Sequence, residues 1–326
     1  MSELQNLMIE KAKALLAGGE IKRIVGWKKG EFYHDPSPAT FETEESLKDF
    51  VYNDFCGANL SKYLIEINKK EGKTAVFLKP CDTYSFNELV KEHRIDREKF
   101  FVIGTECHGK LDNRKLLNLG IDGVTEESYD GDSVKLGTIY GEKVVGKGEA
   151  ILERCLTCKG KKFMVQDDVA VVDDTEDPVL DRFAKVAELE NMTADERFKF
   201  WQSQLSKCLR CNACRNVCPA CSCVKCVFDN PQSGVAAKAN DVPFEEQLFH
   251  VIRAFHVAGR CTDCGECSRV CPQSIPLHLL NRKFIKDADT LYGDFKAGET
   301  ADGKTPLTSF TTEDVDPNAA ADAVKK

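Results

Sequence analysis

The sequence predicts an α/β N-terminal domain with a small parallel or mixed sheet, followed by a mainly α-helical C-terminal domain. Two observations predict this fold class. Short apolar segments alternate with helical patterns in the first half of the chain. In the second half, apolar residues recur at helical spacing around two dense runs of cysteine. The predicted divisions are an α/β domain over 1–176, a helical linker over 177–204, a cysteine-rich domain over 205–292 and a polar tail over 293–326.

Composition limits the class of protein. Hydrophobic residues make up 42% of the 326 residues, which is enough for a sizeable buried core. The formal charge of −8 argues against a nucleic-acid partner. The sixteen cysteines lie at metal-ligand spacings and are spread too unevenly for a disulfide scaffold. We therefore expect them to bind metal.

No segment of the sequence is expected to enter or cross a membrane. Residues 1–19 are rich in polar side chains and lack the continuous apolar core of a secretory signal. The chain also has no run of about 18 apolar residues, the length that spans a bilayer. These features predict a cytoplasmic protein, whose reducing surroundings leave its cysteines available as metal ligands.

The elements of the α/β domain follow from their apolar patterns. The predicted elements are a helix over 3–17, strands at "RIVGW" and "EFY" joined by a Lys-Lys-Gly turn, a helix from about Asn59 to Asn68, a strand at "KTAVFLKP", a helix over 82–93, a strand at "KFFVIGTEC" and short β segments over 120–152. Two buried strands joined by a helix predict a βαβ unit, in which the strands pair in parallel.

The second half begins with two predicted helices. The segment "DPVLDRFAKVAELENM" places apolar residues at helical spacing. In "TADERFKFWQSQL", Thr193 is followed three residues later by Glu196, the pattern of a capping box at a helix start. These helices are interpreted as the linker that leads into the cysteine-rich domain.

The cysteine-rich domain has helices of its own. A helix predicted over 244–257 places apolar residues on one face and ends at Gly259, a typical C-terminal cap. The apolar residues of that face are Phe244, Leu248, Val251 and Phe255. Another helix is predicted from after Pro276 to about Asp289, and the polar tail after Gly293 is expected to be mobile.

Two cysteine runs share the spacing C-x2-C-x2-C-x3-C-P. They are "CLRCNACRNVCP" and "CTDCGECSRVCP". This is the spacing of bacterial ferredoxins, in which three cysteines wrap one 4Fe–4S cluster and the fourth reaches the other cluster. The predicted ligands are Cys208, Cys211, Cys214 and Cys271 for the first cluster, and Cys261, Cys264, Cys267 and Cys218 for the second.

Zinc is the alternative for these runs, because C-x2-C pairs also occur in zinc ribbons. A zinc site needs neither the third cysteine nor the proline after the fourth, so two complete runs favour iron–sulfur clusters. The residues inserted between the runs hold the helix over 244–257, so the pairing of the runs can still form. Four arginines beside the ligands are expected either to raise the cluster potentials or to lie on the surface: Arg210, Arg215, Arg260 and Arg269.

Four more cysteines follow predicted elements of the α/β domain. Cys81 follows one strand, Cys107 follows the next, and "ERCLTCKG" supplies Cys155 and Cys158. Since the carboxyl ends of neighbouring parallel strands meet at the edge where ligands bind, the first two thiols are expected to lie close together. The C-x2-C pair would complete a tetrahedral set. A zinc site and ordinary buried cysteines are the alternatives.

The segments "KPCDTYSFNELVKEH", "VIGTECHG" and "CLTC" resemble the β-subunit family of the deazaflavin-reducing hydrogenases and formate dehydrogenases. The resemblance covers about residues 70–175, and residues 205–290 are similar to the dicluster ferredoxin modules attached to such subunits. It implies that the four thiols hold a third 4Fe–4S cluster beside a flavin, FAD. The sequence has no match to the family's glycine-rich segment, to G-x-G-x-x-G or to G-x-x-x-x-G-K-[ST]. Direct nicotinamide binding is therefore not expected.

The remaining cysteines and histidines have no single interpretation. Cys221, Cys223 and Cys226 form either a further metal site, a thiol surface for a partner, or a buried structural group. With Cys56 they bring the total to sixteen thiols, enough for four clusters, although Cys56 lies in the other domain. Among the histidines, His108 is expected near the ligands or at the surface, while His250 and His256 are expected in the core or at the surface.

The predicted function is that of an iron–sulfur electron-transfer subunit. The resemblance implies a relay between a catalytic oxidoreductase subunit and a soluble carrier, together with other electron-transfer proteins, in a complex of the formate dehydrogenase, hydrogenase or heterodisulfide-reductase type. No catalytic residue is identified. The alternatives are a flavin-dependent subunit that itself reduces a deazaflavin, and a redox-sensing iron–sulfur scaffold.

Overall fold

The chain folds as two units, Met1–Arg182 and Phe183–Lys326. The computed structural model describes residues 2–160, 162–173, 181–230 and 243–308. The first unit contains a mixed sheet with helices, and the described part of the second unit is mostly helical. The predicted fold class is therefore confirmed.

A five-stranded mixed sheet forms the centre of the first unit, in the order β2-β1-β3-β4-β8. Only β1 and β2 pair in antiparallel fashion, and the other neighbours are parallel. The strands of the unit are β1 (Ile21–Lys28), β2 (Ser37–Phe41), β3 (Lys73–Leu78), β4 (Phe100–Thr105), β5 (Val124–Asp130), β6 (Ser133–Thr138), β7 (Gly141–Gly146) and β8 (Asp168–Ala170). Strands β5, β6 and β7 form a separate antiparallel sheet in that order. This confirms the short β segments predicted over 120–152.

The helices of the first unit lie between these strands. They are α1 (Glu3–Ala17), α2 (Leu64–Ile67), α3 (Pro80–Lys91), α4 (Asn113–Asn118), α5 (Lys147–Ala150) and α6 (Glu153–Leu156), with 3-10 turns at Glu45–Asp49, Leu60–Tyr63 and Arg97–Lys99. The helix predicted from about Asn59 to Asn68 is the turn at Leu60–Tyr63 followed by α2. Its start is capped by Asn59, whose side chain accepts the Ser61 N–H at 3.0 Å.

The predicted βαβ unit is present as β3-α3-β4. The two strands pair in parallel, and Leu78 and Gly104 are neighbours near their carboxyl ends. Five of the six residues of β3 are buried, as expected for a strand covered on both faces. Pro80 begins α3 at a position where its missing N–H is not needed. The strand register therefore fixes which residues follow each strand at the same edge of the sheet.

The strand predicted at "EFY" is wrong. Residues 31–33 lie in a turn between β1 and β2, where the Phe32 N–H donates to Asp35 Oδ1 at 3.0 Å. A Cβ added at Gly30 would lie 1.9 Å from the same carboxylate oxygen. The aspartate therefore folds this segment back on itself, and the second strand begins only at Ser37.

The second unit is built from helices around the two cysteine runs. They are α7 (Ala184–Asn191), α8 (Ala194–Leu205), α9 (Ala213–Asn216), α10 (Pro243–His256), α11 (Glu266–Arg269) and α12 (Leu277–Tyr292), with 3-10 turns at Val227–Asp229 and Pro306–Thr308. The capping box predicted from Thr193 and Glu196 is present at the start of α8. Helix α12 runs slightly further than predicted, to Tyr292.

Helix α10 lies where it was predicted, but its apolar face is turned outward. Phe244 is 65% exposed and Phe255 is 61% exposed. The residues that are buried instead include Glu246, His250 and Arg253. A side of the helix that carries ionisable groups thus faces the interior of the unit.

All four predicted divisions include residues outside the described part. These are 1, 161 and 174–176 in the α/β domain, 177–180 in the linker, 231–242 in the cysteine-rich domain and 309–326 in the tail. Within the described part of the tail, Ala297 and Thr305 are buried. No helix of the described residues is long and apolar enough to cross a membrane.

A buried ion pair ties the start of α3 to the core. Lys79 Nζ lies 2.8 Å from Asp82 Oδ2, and the two side chains are 1% and 0% exposed. The same ammonium donates to the Ala58 carbonyl at 2.7 Å and lies 4.5 Å from the centre of the Trp27 ring. Removing one partner of such a pair leaves the other charge desolvated, which is costly.

We expect Lys79→Met to lower the free energy of unfolding of the first unit by about 3–5 kcal/mol. The matched control is Lys69→Met, which breaks a 2.8 Å pair with Glu66 whose side chains are 66% and 74% exposed. The control should change stability by about 0–1 kcal/mol. Urea unfolding followed by circular dichroism measures both, and equal losses in the two variants would contradict the prediction.

Candidate metal centres

The two cysteine runs of the second unit share one backbone conformation. In the first run Arg210 and Asn212 are left-handed, with φ of 51° and 62°. In the second run the equivalent residues, Asp263 and Gly265, are left-handed too, with φ of 55° and 64°. A four-residue helix lies within each run, α9 and α11, and contains its third cysteine. Left-handed residues turn successive N–H groups toward one side, where they can bind an anion.

One cavity brings the first run together with the last cysteine of the second run. Its cysteines are Cys208, Cys211, Cys214 and Cys271, and its apolar walls include Phe249, Ile275 and Leu277. The pKa of Cys214 is raised to about 11, first by burial and also by the neighbouring thiols. The cavity is therefore surrounded by the four ligands predicted for the first cluster.

Cys218 lies with the cysteines of the second run. It packs against Cys261 in a small buried cluster that also contains Val257. The pKa of Cys267 is raised to about 12, first by burial and also by Cys218 and Cys264. The structure thus groups the four thiols predicted for the second cluster, with Cys218 crossing over from the first run.

A buried cation lies close to both groups of thiols. Arg253 on α10 is 3% exposed, and its Nε and Nη1 have no hydrogen-bond partner among the described residues. Burial lowers its pKa, but thiolates at Cys267, Cys214 and Cys218 outweigh that effect and raise it. A buried guanidinium needs anions nearby, and metal-bound thiolates supply them. The residues present therefore fit two iron–sulfur clusters.

Four cysteines of the first unit meet at the carboxyl edge of its sheet. Cys81 lies in the first turn of α3, directly after β3, and Cys107 follows β4. Cys155 lies in α6 and Cys158 just after it. An antiparallel bridge between Leu111 and Ile151 holds the two segments together. Three loops distant in sequence thus supply one group of thiols.

The charges of these four thiols act on one another. The pKa of Cys155 is raised to about 11, first by burial and also by Cys107 and Cys158. Burial raises the pKa of Cys81 as well, with a further contribution from Cys158. Without metal the thiols of Cys81 and Cys155 therefore hold their protons. Metal ligation would remove those protons, which couples metal binding to the charge of the site.

A glycine shapes the loop after Cys107. Gly109 has φ of 108°, in the region that favours glycine. A Cβ at this position would lie 3.7 Å from Cβ of Cys155. The Gly109 carbonyl accepts a long hydrogen bond from the Cys107 thiol at 3.8 Å. The glycine therefore allows the loop to turn close beside the other cysteines.

Three buried cations lie around this group. Lys79, Lys110 and Arg154 are at most 9% exposed, and each donates to a backbone carbonyl of segment 53–58. Lys79 and Arg154 also lower the pKa of Cys81, which burial raises. Buried lysines and arginines are rare unless they face negative charge. Asp82 lies 2.8 Å from Lys79 and Asp54 lies 3.0 Å from Lys110, so carboxylates already compensate two of these cations. Their positive charge is compatible with thiolate ligands nearby.

Cys56 lies in the same segment but is a core thiol. It is fully buried, and its Sγ–H lies 3.5 Å from Asn53 Oδ1 and 3.7 Å from the Val51 carbonyl. Its Sγ also accepts the Asn53 N–H at 3.4 Å, and its pKa is raised to about 12, mainly by burial. These contacts support structural burial.

The three extra cysteines of the second unit have different surroundings. Cys221 contacts Cys218 through its thiol, which is the strongest influence raising the pKa of Cys218. Cys226 lies beside Arg215, and Cys223 is exposed. The further metal site suggested by their spacing stays a prediction.

The four arginines singled out from the sequence have other partners. Their partners are Glu246 for Arg210, Asp229 for Arg215, the backbone carbonyls of His256 and Ala220 for Arg260, and Glu266 for Arg269. A fifth arginine, Arg253, interacts with thiols of both runs, and sequence reasoning missed it. Its position relative to Glu246 and His250, at i+7 and i+3, places the three on one side of a helix and is a signal that could have found it.

His250 is the second residue that sequence reasoning missed. Its Nε2 lies 3.2 Å from Sγ of Cys208, and both are within 4.8 Å of a Glu246 carboxylate oxygen. The pKa of His250 is lowered to about 3, first by burial and then by Arg253 and Arg210, so the ring is neutral. The neighbours of His108 are carboxylates rather than a thiol. Its Nε2 lies 3.8 Å from the carboxylates of Glu106 and Asp173, which belong to its own unit.

Comparison with known proteins confirms the resemblance predicted from the sequence. Residues 204–275 match the 4Fe-4S dicluster domain family. The F420-dependent formate dehydrogenase subunit beta of Methanocaldococcus jannaschii is 24% identical over 337 aligned residues, which cover 86% of this chain and 88% of the relative. The F420-dependent formate dehydrogenase 1 subunit beta of Methanococcus maripaludis is 25% identical over 310 residues, which cover 76% and 78%.

A solved structure also matches part of the chain. A chain of the F420-reducing NiFe hydrogenase complex from Methanosarcina barkeri, determined as a xenon derivative, has a TM-score of 0.37 and 18% identity. The match covers 47% of this chain and 57% of that chain.

Cys214→Ser should remove one cluster from the second unit, about four iron atoms per chain, because a ligating sulfur is lost. Cys56→Ser is the control, since Cys56 is a core thiol bonded to neighbouring backbone and side-chain groups, and it should keep all its iron. Iron analysis and electron paramagnetic resonance (EPR) of the reduced proteins make the comparison. Full iron in folded Cys214→Ser would contradict its role as a ligand, and loss of every iron signal together would contradict separate sites.

Proposed function

We propose that this protein is an iron–sulfur electron-transfer subunit of a multi-subunit oxidoreductase. The observation that carries the proposal is the exchange of the fourth cysteine between the two runs. Cys271 lines the cavity of the first run, and Cys218 packs against the second. This crossover is typical of two-cluster ferredoxins and has no counterpart in a zinc ribbon. The match to the dicluster family supports the same conclusion.

The first site has a largely apolar lining and a backbone hydrogen bond to one of its sulfurs. When bound, a 4Fe–4S cluster accepts and donates one electron at a time. The N–H of Arg210 donates to Sγ of Cys208 at 3.3 Å, and apolar Phe249, Ile275 and Leu277 line one side of the cavity. Such a lining limits how much the surroundings rearrange when charge enters or leaves, and it sets the potential at which that happens.

The proposal includes a third cluster in the first unit, held by Cys81, Cys107, Cys155 and Cys158. Its support is the meeting of four thiols at the carboxyl edge of the sheet, where ligands of α/β folds bind. The three buried cations around them supply charge for a thiolate-bound group. Zinc would use the same thiols, so metal analysis must separate the two.

The relatives suggest what stands at either end of the relay. Both formate dehydrogenase relatives are named as F420-dependent β subunits. We infer by analogy a formate- or hydrogen-oxidising catalytic subunit as the donor or acceptor, and a deazaflavin-type carrier at the other end. FAD beside the third cluster belongs to this proposal, because a flavin converts between single electrons and hydride transfer. These partners are expected in the cytoplasm.

The first test is the iron, acid-labile sulfide, zinc and flavin content per chain, on protein purified without oxygen. We expect about twelve iron and twelve sulfide, the content of three clusters. Cys158→Ser should lower this to about eight of each and leave the EPR signals of the second unit unchanged. Bound flavin, released by denaturation and identified by its absorbance, would support the FAD site.

Other metal and sulfide contents would contradict parts of the proposal. About eight iron with one zinc would confine the relay to the second unit. Zinc without sulfide would overturn the electron-transfer function altogether. A further test mixes the dithionite-reduced protein with coenzyme F420 under argon. Reoxidation of the iron signals, with loss of the carrier's own absorbance, would support the proposed carrier class.

A further inference from the structure

Helix α10 is inserted between the two cysteine runs and directs three ionisable residues toward them. Glu246, His250 and Arg253 are spaced four and then three residues apart, so they lie on one side of the helix. Their exposed fractions are 5%, 1% and 3%. Burying three such groups is costly unless each has a specific partner.

His250 and Cys208 form a direct contact between α10 and the first site. The distance from Nε2 to Sγ is 3.2 Å, which is short for a hydrogen bond to sulfur. A metal-bound thiolate can only accept, so Nε2 of His250 would donate its hydrogen to Cys208. Its Nδ1 has no hydrogen-bond partner among the described residues.

The other buried charges close to the runs cancel in pairs. Arg210 Nε lies 2.9 Å from the carboxylate of Glu246, and Arg282 Nε lies 2.8 Å from that of Asp263. All four side chains are at most 6% exposed. No carboxylate pairs with Arg253 within the described part of the chain. Its charge is therefore left to act on the sulfur of Cys214, Cys218 and Cys267.

We propose that α10 sets the reduction potentials of both clusters of the second unit, Arg253 through its buried charge on both and His250 through its hydrogen bond to Cys208. The inference rests on the proposed function, because it requires that the eight cysteines hold two clusters. Both residues are positioning residues, since they act through the sulfur ligands. The outward apolar face of the helix takes no part.

The sign of the effect follows from charge. Reduction adds one electron and no proton to a cluster whose thiolates already make it negative. A fixed positive charge and an N–H donor both favour the more negative, reduced form, and low surrounding polarity strengthens them. Arg253 therefore raises the potentials of both clusters, and His250 raises the potential of the first.

The test is a redox titration of the full-length protein followed by EPR. In Arg253→Met, the equilibrium constant for reducing each cluster of the second unit should fall at least tenfold, a shift of about 59 mV for one electron. Arg253→Lys keeps the charge and should restore most of the loss. Any cluster in the first unit serves as an internal reference, because the thiols that raise the pKa of Arg253 belong to the second unit.

Two further variants separate the roles of charge and contact. In His250→Leu, the cluster held by Cys208 should become harder to reduce, while the cluster held by Cys218 and Cys261 changes less than twofold. Lys207→Met removes an exposed charge directly before Cys208 and should leave both potentials within twofold, since water screens it. A shift in Lys207→Met as large as that in Arg253→Met would overturn the role of a buried charge.

The outcomes also distinguish a failure of this inference from a failure of the proposed function on which it rests. If the wild-type chain lacks about eight iron in the second unit, the proposed function fails. If Arg253→Met keeps its iron and its potentials equal those of the wild type, the function stands and the inference fails. If Arg253→Met does not assemble clusters, His250→Leu decides, and an unchanged potential for the cluster held by Cys208 overturns the inference.

Discussion

Buried cations face cysteine sulfur in both units of this protein, and the rest of the structure depends on that balance of charge. Lys79, Lys110 and Arg154 surround the thiols of the first unit, and Arg253 faces those of the second. Removing a lysine or arginine from water costs several kcal/mol unless negative charge compensates. In the first unit, Asp82 and Asp54 compensate Lys79 and Lys110. Thiolates of the proposed metal centres would add negative charge beside Arg154 and Arg253.

The two units reach this arrangement by different means. In the first unit, a parallel sheet brings Cys81 and Cys107 to one edge, and a backbone bridge adds Cys155 and Cys158. In the second unit, the chain repeats one cysteine-bearing turn and exchanges the last cysteine of each copy. Helix α10, which lies between the two runs in sequence, places His250 and Arg253 beside these cysteines. Sheet register positions one site, and local turn conformation positions the others.

Much of this could be predicted from the sequence, and the failures have physical causes. The βαβ unit and the capping box at Thr193 depend on patterns within a few residues, and they are confirmed. The strand at "EFY" is wrong because Asp35 folds the segment back, which apolar alternation does not reveal. The orientation of α10 was missed because Phe244 and Phe255 on one side of the helix predicted that this side would be buried. Only knowledge of the thiols explains why Arg253 and His250 face inward.

The left-handed residues of the cysteine runs affect how readily a chain without clusters would be degraded in the cell. Arg210 holds a left-handed conformation that costs a residue of its type about 1–2 kcal/mol, whereas Asn212 and Asp263 tolerate it more easily. Ligation of the proposed cluster would offset that cost only while the cluster is present. A newly made chain short of iron would relax at these turns and become a substrate for proteases. Its abundance should then follow the supply of iron and sulfide, which a turnover measurement in iron-limited cells would reveal.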